Sequence, residues 1–350
     1  MEAAAEFDLR PLESVDELEL WFTLVASVFT APRSYFERHW ASDTAESRVP
    51  GGILVAVHRA TGAFVGTCRV FRRRLRCSGQ ELLVGGIGEV ATLPAYRGLG
   101  LASRLLDMAL AYMAEQRFAA SVLHAAADAA GLYARLGWRP VPAPLHVVAV
   151  APGAGAGAGV VTAVRRLEFE TETSWNEAVS RLAPLHEGFV QELDCFVRTR
   201  EYWQTWMREP AEALDAKGCA TLGLMMGWEL LGDDGATTSY LIAKKCEDEE
   251  ARDMSQLVVL DFAASAAAGS GEAEAVFFEL LAVARDHFFG GGCAASAKVP
   301  RLLAPAACAH APLVPDAGIW MYRELSGDEP PHGVTKMSPE PLFVPPIDDF

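Results

Sequence analysis

The sequence predicts an α+β chain built from two units of related layout. Three observations carry this. Apolar runs with the period of strands alternate with stretches of helical period. A hairpin, a strand, a long helix and a strand follow one another in residues 52–123, and the same order returns in residues 222–299. At 350 residues, 51% of them hydrophobic, the chain is long enough for about two domains with buried cores.

Phe7 to Leu12 suits a short first strand. Ser14-Val15-Asp16-Glu17 has the form of a capping box, a Ser cap with an acid three residues on, ahead of a helix with Leu18, Trp21, Phe22, Val25 and Phe29 on one face. Pro32 to Trp40 predicts another short helix with Pro near its start; Tyr35, Phe36 and Trp40 form an aromatic stripe expected in the core. Gly52–Val57 and Phe64–Phe71 form a hairpin about Ala60-Thr61-Gly62. Arg72-Arg73-Arg74-Leu75-Arg76 reads first as a solvated strand end that also blunts a sheet edge, with a phosphate-facing patch as the minor reading. The next strand reaches Leu93. A helix over residues 99–117 follows, with Leu101, Leu105, Met108 and Tyr112 facing a sheet, then a strand over 118–123 and a short helix over 128–135 ending at Gly137. Val147 to Val150 is a further strand.

Residues 151–159, nearly all Gly and Ala, are of low complexity, and we place a domain boundary there: 1–150 before it and 160–350 after it. In the second part Leu222–Leu231 and Thr237–Lys244 flank Gly232-Asp233-Asp234-Gly235, a hairpin signal. Leu257–Phe262 is a buried strand, Glu272–His287 an amphipathic helix and Ala294–Val299 another strand. The apolar tail Pro339–Phe350 is expected to pack on the body.

Composition narrows the partners. Residues 1–159 hold 15 Lys+Arg and 15 Asp+Glu; residues 160–350 hold the other 15 and 31, so the whole charge of −16 lies in the second part. Such a chain is a poor nucleic-acid binder; its acidic surface serves solubility or, beside a site, attracts a cationic substrate. No uncharged apolar run reaches the roughly 18 residues of a membrane span, and the N-terminus lacks the apolar core of a signal peptide. We expect a soluble, cytoplasmic protein that binds neither nucleic acid nor membrane. The seven cysteines form no CxxC pair, which predicts reduced, mostly buried thiols, and no His/Cys/carboxylate cluster has metal-ligand spacing.

One stretch carries chemistry. Gly88-Glu89-Val90-Ala91-Thr92-Leu93 is a strand; after Pro94 come Tyr96-Arg97-Gly98-Leu99-Gly100-Leu101-Ala102 and the long helix. Gly98 and Gly100 permit a tight path that aims backbone N–H groups at one point. The helix adds the positive end of its dipole and Arg97 a charge-assisted hydrogen bond. The ligand implied is a pyrophosphate. A Walker loop needs a lysine, and residues 1–159 contain none; a Rossmann fingerprint needs a third small residue that Ser103 does not supply.

The match is to Arg/Gln-x-x-Gly-x-Gly/Ala, here Arg97-Gly98-Leu99-Gly100-Leu101-Ala102, followed at the expected distance by Tyr133-Ala134-Arg135-Leu136-Gly137-Trp138. With these two motifs around one helix, residues 5–150 resemble the GNAT superfamily of acetyl-CoA-dependent N-acetyltransferases. The resemblance implies a mixed, mostly antiparallel twisted sheet flanked by helices, with a splayed strand pair that admits the pantetheine arm. The backbone of Val90, Ala91 and Thr92 would hold the arm and the acetyl carbonyl. The N–H groups of Arg97, Gly98, Leu99, Gly100, Leu101 and Ala102 would hold the pyrophosphate, and Tyr133 would be the general acid. Ala126 stands where many members place an Asn that contacts the cofactor. The second part reads as a degenerate unit of the same kind, since residues 263–271 carry no Arg and no matching glycine spacing.

Two groups are candidates for the base. Glu89 adjoins the acetyl-contact residues. The tandem layout is similar to the mycobacterial enhanced-intracellular-survival acetyltransferases, in which the C-terminal carboxylate enters the site; here that carboxylate belongs to Phe350. The layout and the aromatic stretch Tyr202-Trp203-Gln204-Thr205-Trp206 are also similar to fungal lysine N6-acetyltransferases. We expect acetyl transfer by direct attack of a small cationic amine, free L-lysine first, without metal. The alternatives are an aminoglycoside, polyamine or protein acetyltransferase, or a non-catalytic acetyl-CoA-binding module. His124 reads as structural.

Overall fold

A computed structural model describes residues 6–29, 31–142, 145–150, 163–169, 171–208, 225–245, 256–265, 270–290, 293–300, 303, 305–309, 311–314 and 318–325. The Gly/Ala run 151–159 and the tail 339–350 lie outside these residues. The strands are, in chain order, β1 (Phe7–Pro11), β2 (Ile53–His58), β3 (Phe64–Cys77), β4 (Gln80–Thr92), β5 (Ala120–Ala125), β6 (Arg139–Pro140), β7 (Leu145–Val150), β8 (Ala163–Leu167), β9 (Cys195–Phe196), β10 (Met225–Leu231), β11 (Thr237–Lys245), β12 (Gln256–Ala264), β13 (Ala295–Pro300) and β14 (Ile319–Glu324).

They form two sheets. The first has the order β1-β2-β3-β4-β5-β14-β6, with β9 added to the end of β3; the second has the order β7-β13-β12-β11-β10-β8. Within each sheet one pair is parallel, β4–β5 and β12–β13, each joined by a long helix, Leu101–Glu115 and Ser270–Phe289. The remaining pairs are antiparallel. The repeated order expected from the sequence is therefore present in space.

The sheets exchange strands across the Gly/Ala run. β7 pairs with β13 in the second sheet, from Leu145↔Pro300 to Val150↔Ala295. β14 returns to the first sheet and lies between β5 and β6, from Ile319↔Ala125 to Glu324↔Ala120 on one side and through Met321↔Pro140 on the other. Each sheet is completed by chain from the other part, so neither has its full set of backbone partners alone.

Alternation along β2 sets the layers of the first unit. Leu54 and Ala56 join Leu101, Leu105, Leu106, Ala109 and Met113 of the helix Leu101–Glu115 on one face. Ile53 and Val55 join Trp21, Phe22 and Val25 of the helix Leu18–Val28 and Phe36 of the helix Arg33–Ser42 on the other. The buried stripe of the central helix is turned from the predicted one: Met108 and Tyr112 are half-buried, and Ala109 and Met113 sit deepest. Met113 fits against Gly85, where any Cβ would collide with its sulfur.

Three local expectations are corrected. Ser14 makes no side-chain cap; the Glu17 carboxylate is taken by Arg10 at 2.6 Å and by the Glu13 N–H at 2.8 Å, so the segment Val15–Glu17 becomes a 3-10 turn. Of the aromatic stripe Phe36 is buried, but Tyr35 is exposed and Trp40 half-buried. The arginine run is not a solvated end. β9 pairs with Leu75 and Arg76, Arg73 is buried, and its Nη1 donates to Asp43 at 2.7 Å.

The two units meet over Phe71 of β3, which packs in one cluster with Trp175, Tyr202, Trp203 and Trp206. Behind it lies a buried polar group. Arg198 donates to both oxygens of Asp261 at 2.7 and 3.1 Å, and Tyr240 Oη donates to Oδ2 at 2.7 Å. Arg198 Nη1 also lies 3.3 Å from His186 Nδ1. Burial would raise the Asp261 carboxyl, but Arg198 and His186 outweigh it and hold it below its ordinary range. Burial, and next the Arg198 guanidinium, lower His186 to about 3 against the pull of Asp261.

An unfolded histidine titrates near 6.5. Between the two values the unfolded chain binds the extra proton, so the contribution of neutral His186 is full above 6.5 and is lost as pH falls below it. Urea unfolding at about pH 7 and about pH 5 is expected to show lower stability at the acid value, with a smaller loss in His186→Asn. Equal pH sensitivity of the two proteins would contradict this.

Candidate acyl-transfer site

The site begins where β4 leaves β5. Their parallel pairing runs from Val84↔Ala120 to Ile87↔Leu123 and ends there, while β4 continues five residues to Thr92 and β5 two residues to Ala125. On its other side β4 stays bonded to β3, but the register slips: Arg69 opposes Gly88, whereas Thr67 opposes Ala91. One extra residue of β4 is thus accommodated, and Glu89 takes φ 51°, a left-handed conformation that side chains seldom adopt. Beyond this bulge Val90, Ala91 and Thr92 have no pairing with β5 among the described residues. The sheet has an internal edge between two strands.

At the end of β4 the chain makes a short turn over Pro94–Tyr96 and enters the loop. Gly98 and Gly100 have φ 79° and 74°, and Gly100 caps the helix Leu101–Glu115. The helix starts two residues later than the periodicity alone predicts because these glycines are left-handed. Its first internal bond runs from Arg104 N to Gly100 O, so the N–H groups of Leu101, Ala102 and Ser103 precede the ladder. Arg97, Gly98, Leu99 and Gly100 are exposed. Arg97 Nε donates to Thr92 O at 3.2 Å, which ties the loop back to the end of β4. A Cβ at Gly98 or Gly100 would meet nothing within 4 Å, so glycine is required there by φ rather than by space.

Tyr133 stands on the short helix Ala130–Arg135 and is buried on the same face as the helix Leu101–Glu115. Trp138 locks its position: the indole is edge-on to the Tyr133 ring at 6.2 Å, and its Nε1 donates to Ser121 Oγ, which donates to Gly85 O. Arg323 of β14 lies over Trp138 and donates to Leu136 O, so the exchanged strand supports the tyrosine helix. Burial, and next the nearby Cys68, push the Tyr133 hydroxyl up to about 12; it carries its proton at neutral pH. Burial and the charge of Glu89 push the Cys68 thiol up in turn.

On the opposite face the Glu89 carboxylate is buried. Oε1 is 3.2 Å from His39 Nδ1 and Oε2 accepts from Arg69 Nη1 at 3.4 Å. Arg69 Nη2 reaches Asp43 at 2.8 Å. Burial would raise Asp43, but Arg73 and Arg69 hold it below the ordinary carboxylate range. The sequence assigns no site role to His39, Asp43 or Arg69, and Arg73 enters there only within the arginine run 72–76. The available signal was Arg69 itself, a charge inside the apolar strand Phe64–Phe71, which requires a buried partner.

The structure thus gathers Glu89, Val90, Ala91 and Thr92 at one edge and Arg97, Gly98, Leu99, Gly100, Leu101 and Ala102 at the strand end, with Tyr133 on the helix side. Phe350 lies outside the described residues. His124, past the last β4–β5 pair, stacks on Trp320 of β14 at 5.0 Å. Among the described residues no His/Cys/Asp/Glu group could hold a metal ion, and no helix is long and apolar enough to cross a membrane. The residues fit an acyl-CoA: an internal strand edge suits an extended amide-bearing arm, the glycine loop suits a pyrophosphate, and Thr92 Oγ1 is buried without a partner among the described residues.

Comparison with known proteins agrees with this geometry. The family model of the acetyltransferase (GNAT) domain matches residues 8–141. No curated protein sequence matches. Among solved structures, a GCN5-related N-acetyltransferase from Anabaena variabilis is 18% identical with a TM-score of 0.63, over 91% of this chain and 73% of that one. Eis1 from Mycobacterium abscessus is 15% identical with a TM-score of 0.57, over 91% and 73%. The Saccharomyces cerevisiae N-myristoyltransferase with bound myristoyl-CoA is 11% identical with a TM-score of 0.54, over 93% and 84%. These likenesses concern the fold and extend over both sheets, which are two GNAT-like units. Residues 8–141 of the chain are an acetyltransferase domain of the GNAT family.

Proposed function

We propose that the chain transfers acetyl from acetyl-CoA to the amine of a small cationic substrate, with free L-lysine, acetylated at N6, as the first member of that class. The observation that carries the reading is the opening between β4 and β5, with a protonated Tyr133 on one side and at its end a glycine loop in which Arg97 N donates to Pro94 O at 3.3 Å while the N–H groups of Gly98, Leu99 and Gly100 have no backbone partner among the described residues. Acetyl-CoA supplies an activated thioester. Val90, Ala91 and Thr92 hold its arm by backbone hydrogen bonds, and Arg97 to Ala102 hold its pyrophosphate. The cationic class is supported by the acidic second part.

The reaction is a direct displacement. The N–C bond forms, the C–S bond breaks, the amine proton passes to a carboxylate and the Tyr133 proton passes to the departing sulfur. For the base we favour the terminal carboxylate of Phe350, on the strength of the tandem resemblance. Glu89, the other candidate, already has an oxygen at His39 and an oxygen at Arg69, surroundings that suit a fixed anchor.

Thiol release from acetyl-CoA should be followed with L-lysine, a polyamine, an aminoglycoside and a lysine-containing peptide as acceptors. Turnover with L-lysine or another small amine is expected; tight acetyl-CoA binding without turnover of any acceptor would make the chain a binding module and sink the proposal. Tyr133→Phe is expected to lower kcat about 100-fold or more while leaving the KM for acetyl-CoA within about threefold. Deleting Phe350 is expected to cost a similar factor in kcat, and Glu89→Gln much less. The opposite order would return the base to Glu89.

A further inference from the structure

Glu89 stands two residues beyond the last β4–β5 pair, and it holds φ 51° there. A left-handed glutamate persists only where its surroundings fix it. Those surroundings are specific. His39 Nδ1 lies 3.2 Å from Oε1, and Arg69 Nη1 is 3.4 Å from Oε2; the side chains of all three are at most 9% exposed. Arg69 is itself set by Asp43 at 2.8 Å, and Asp43 by Arg73 and the Ser47 hydroxyl at 2.7 and 2.6 Å.

His39 is fixed from three sides. Tyr35 stacks on it at 5.4 Å, Phe71 meets it edge-on at 5.7 Å, and Trp206 approaches to 4.4 Å. Trp206 comes from the chain between the two sheets, and Arg73 lies over the same indole at 4.5 Å. The nearby helix Arg200–Gln204 adds a second tie, since Glu201 Oε1 accepts from Ala45 N at 2.7 Å. A continuous line of contacts therefore runs from Trp206 through His39 to the bulge.

We propose that His39 and Arg69 are positioning residues for acyl-CoA. They clamp Glu89 in its left-handed conformation, which keeps the internal edge at Val90–Thr92 open, and Trp206 makes the clamp depend on the segment that leads into the second unit. The role of Glu89 is then conformational: its carboxylate offsets the cost of a side chain at positive φ. This rests on the acyl-CoA reading above, and goes beyond it by assigning residues that the reaction itself does not use.

The proposal makes a ranking that no catalytic role would produce. Glutamine keeps its carbonyl as acceptor for Arg69 and donates its NH2 to His39 Nδ1 in the tautomer that leaves that nitrogen unprotonated, glycine loses both bonds but takes positive φ freely, and alanine loses them and is disfavoured at that φ. Acetyl-CoA binding to the full-length chain, measured by calorimetry, is expected to fall little in Glu89→Gln (within about threefold), and to be about five- to tenfold tighter in Glu89→Gly than in Glu89→Ala. His39→Leu is expected to resemble Glu89→Ala. Thermal melting of each variant identifies any that fails to fold, and the glutamine–glycine comparison stands without alanine: glycine should be the weaker. Wild-type affinity in Glu89→Ala or His39→Leu, or glycine binding no tighter than a folded alanine variant, would overturn the clamp. Because only acetyl-CoA is titrated, a wild type that binds it and acetylates no amine contradicts the proposed reaction while this ranking still decides the clamp. A wild type that does not bind acetyl-CoA overturns both.

Discussion

A sheet cannot leave backbone groups unpaired between two of its own strands at no cost. Here the parallel pair β4–β5 separates after Ile87 and Leu123, although both strands continue. The separation is possible because β4 remains bonded to β3 and absorbs its change of direction in one bulge at Glu89. Much of the candidate site follows from that event. Residues 90–92 have no pairing with β5, the glycine loop lies at their end, and Tyr133 is brought alongside by a helix pinned to β5 through Trp138 and Ser121.

The two units are joined in a way that serves this opening. β14 fills the place beside β5, on the strand that stops pairing, and carries Arg323 against the tyrosine helix. β7 makes the reciprocal contribution beside β13. Buried charge groups lie within each unit near where the two meet, Asp43 with Arg69 and Arg73 in the first and Asp261 with Arg198 in the second. Buried ion pairs add little net stability, but removing one partner typically costs about 3–5 kcal/mol because the other is left buried. Such pairs favour one arrangement over its neighbours, which suits an interface that must hold a bulge in place.

The parts of this that the sequence displayed are those written in local pattern. Gly98 and Gly100 announce a positive-φ turn before a helix, and Gly137 a helix end; the hairpin–strand–helix–strand order reads from periodicity in both units. Other features depend on residues far apart in the chain. Glu89 gives no local sign of its conformation, since its partners His39 and Arg69 are 50 and 20 residues away. Arg73 looks like its solvated neighbours until Asp43 and Trp206 cover it. The motif at Ser14 fails because Arg10, four residues before the box, captures Glu17. The exchange of β7 and β14 is invisible to periodicity, which identifies strands but not the sheet that receives them.

The central claim is that the backbone of β4 beyond Ile87 and the glycine loop are the acyl-CoA site. Amide hydrogen exchange of the full-length protein with and without acetyl-CoA tests it residue by residue. Protection is expected at Val90–Thr92 and at Gly98, Leu99, Gly100, Leu101 and Ala102, with the corresponding segment of the second unit, around the C-terminal end of β12, unchanged. Protection confined to the second unit, or absent from the glycine loop at saturating acetyl-CoA, would contradict the account.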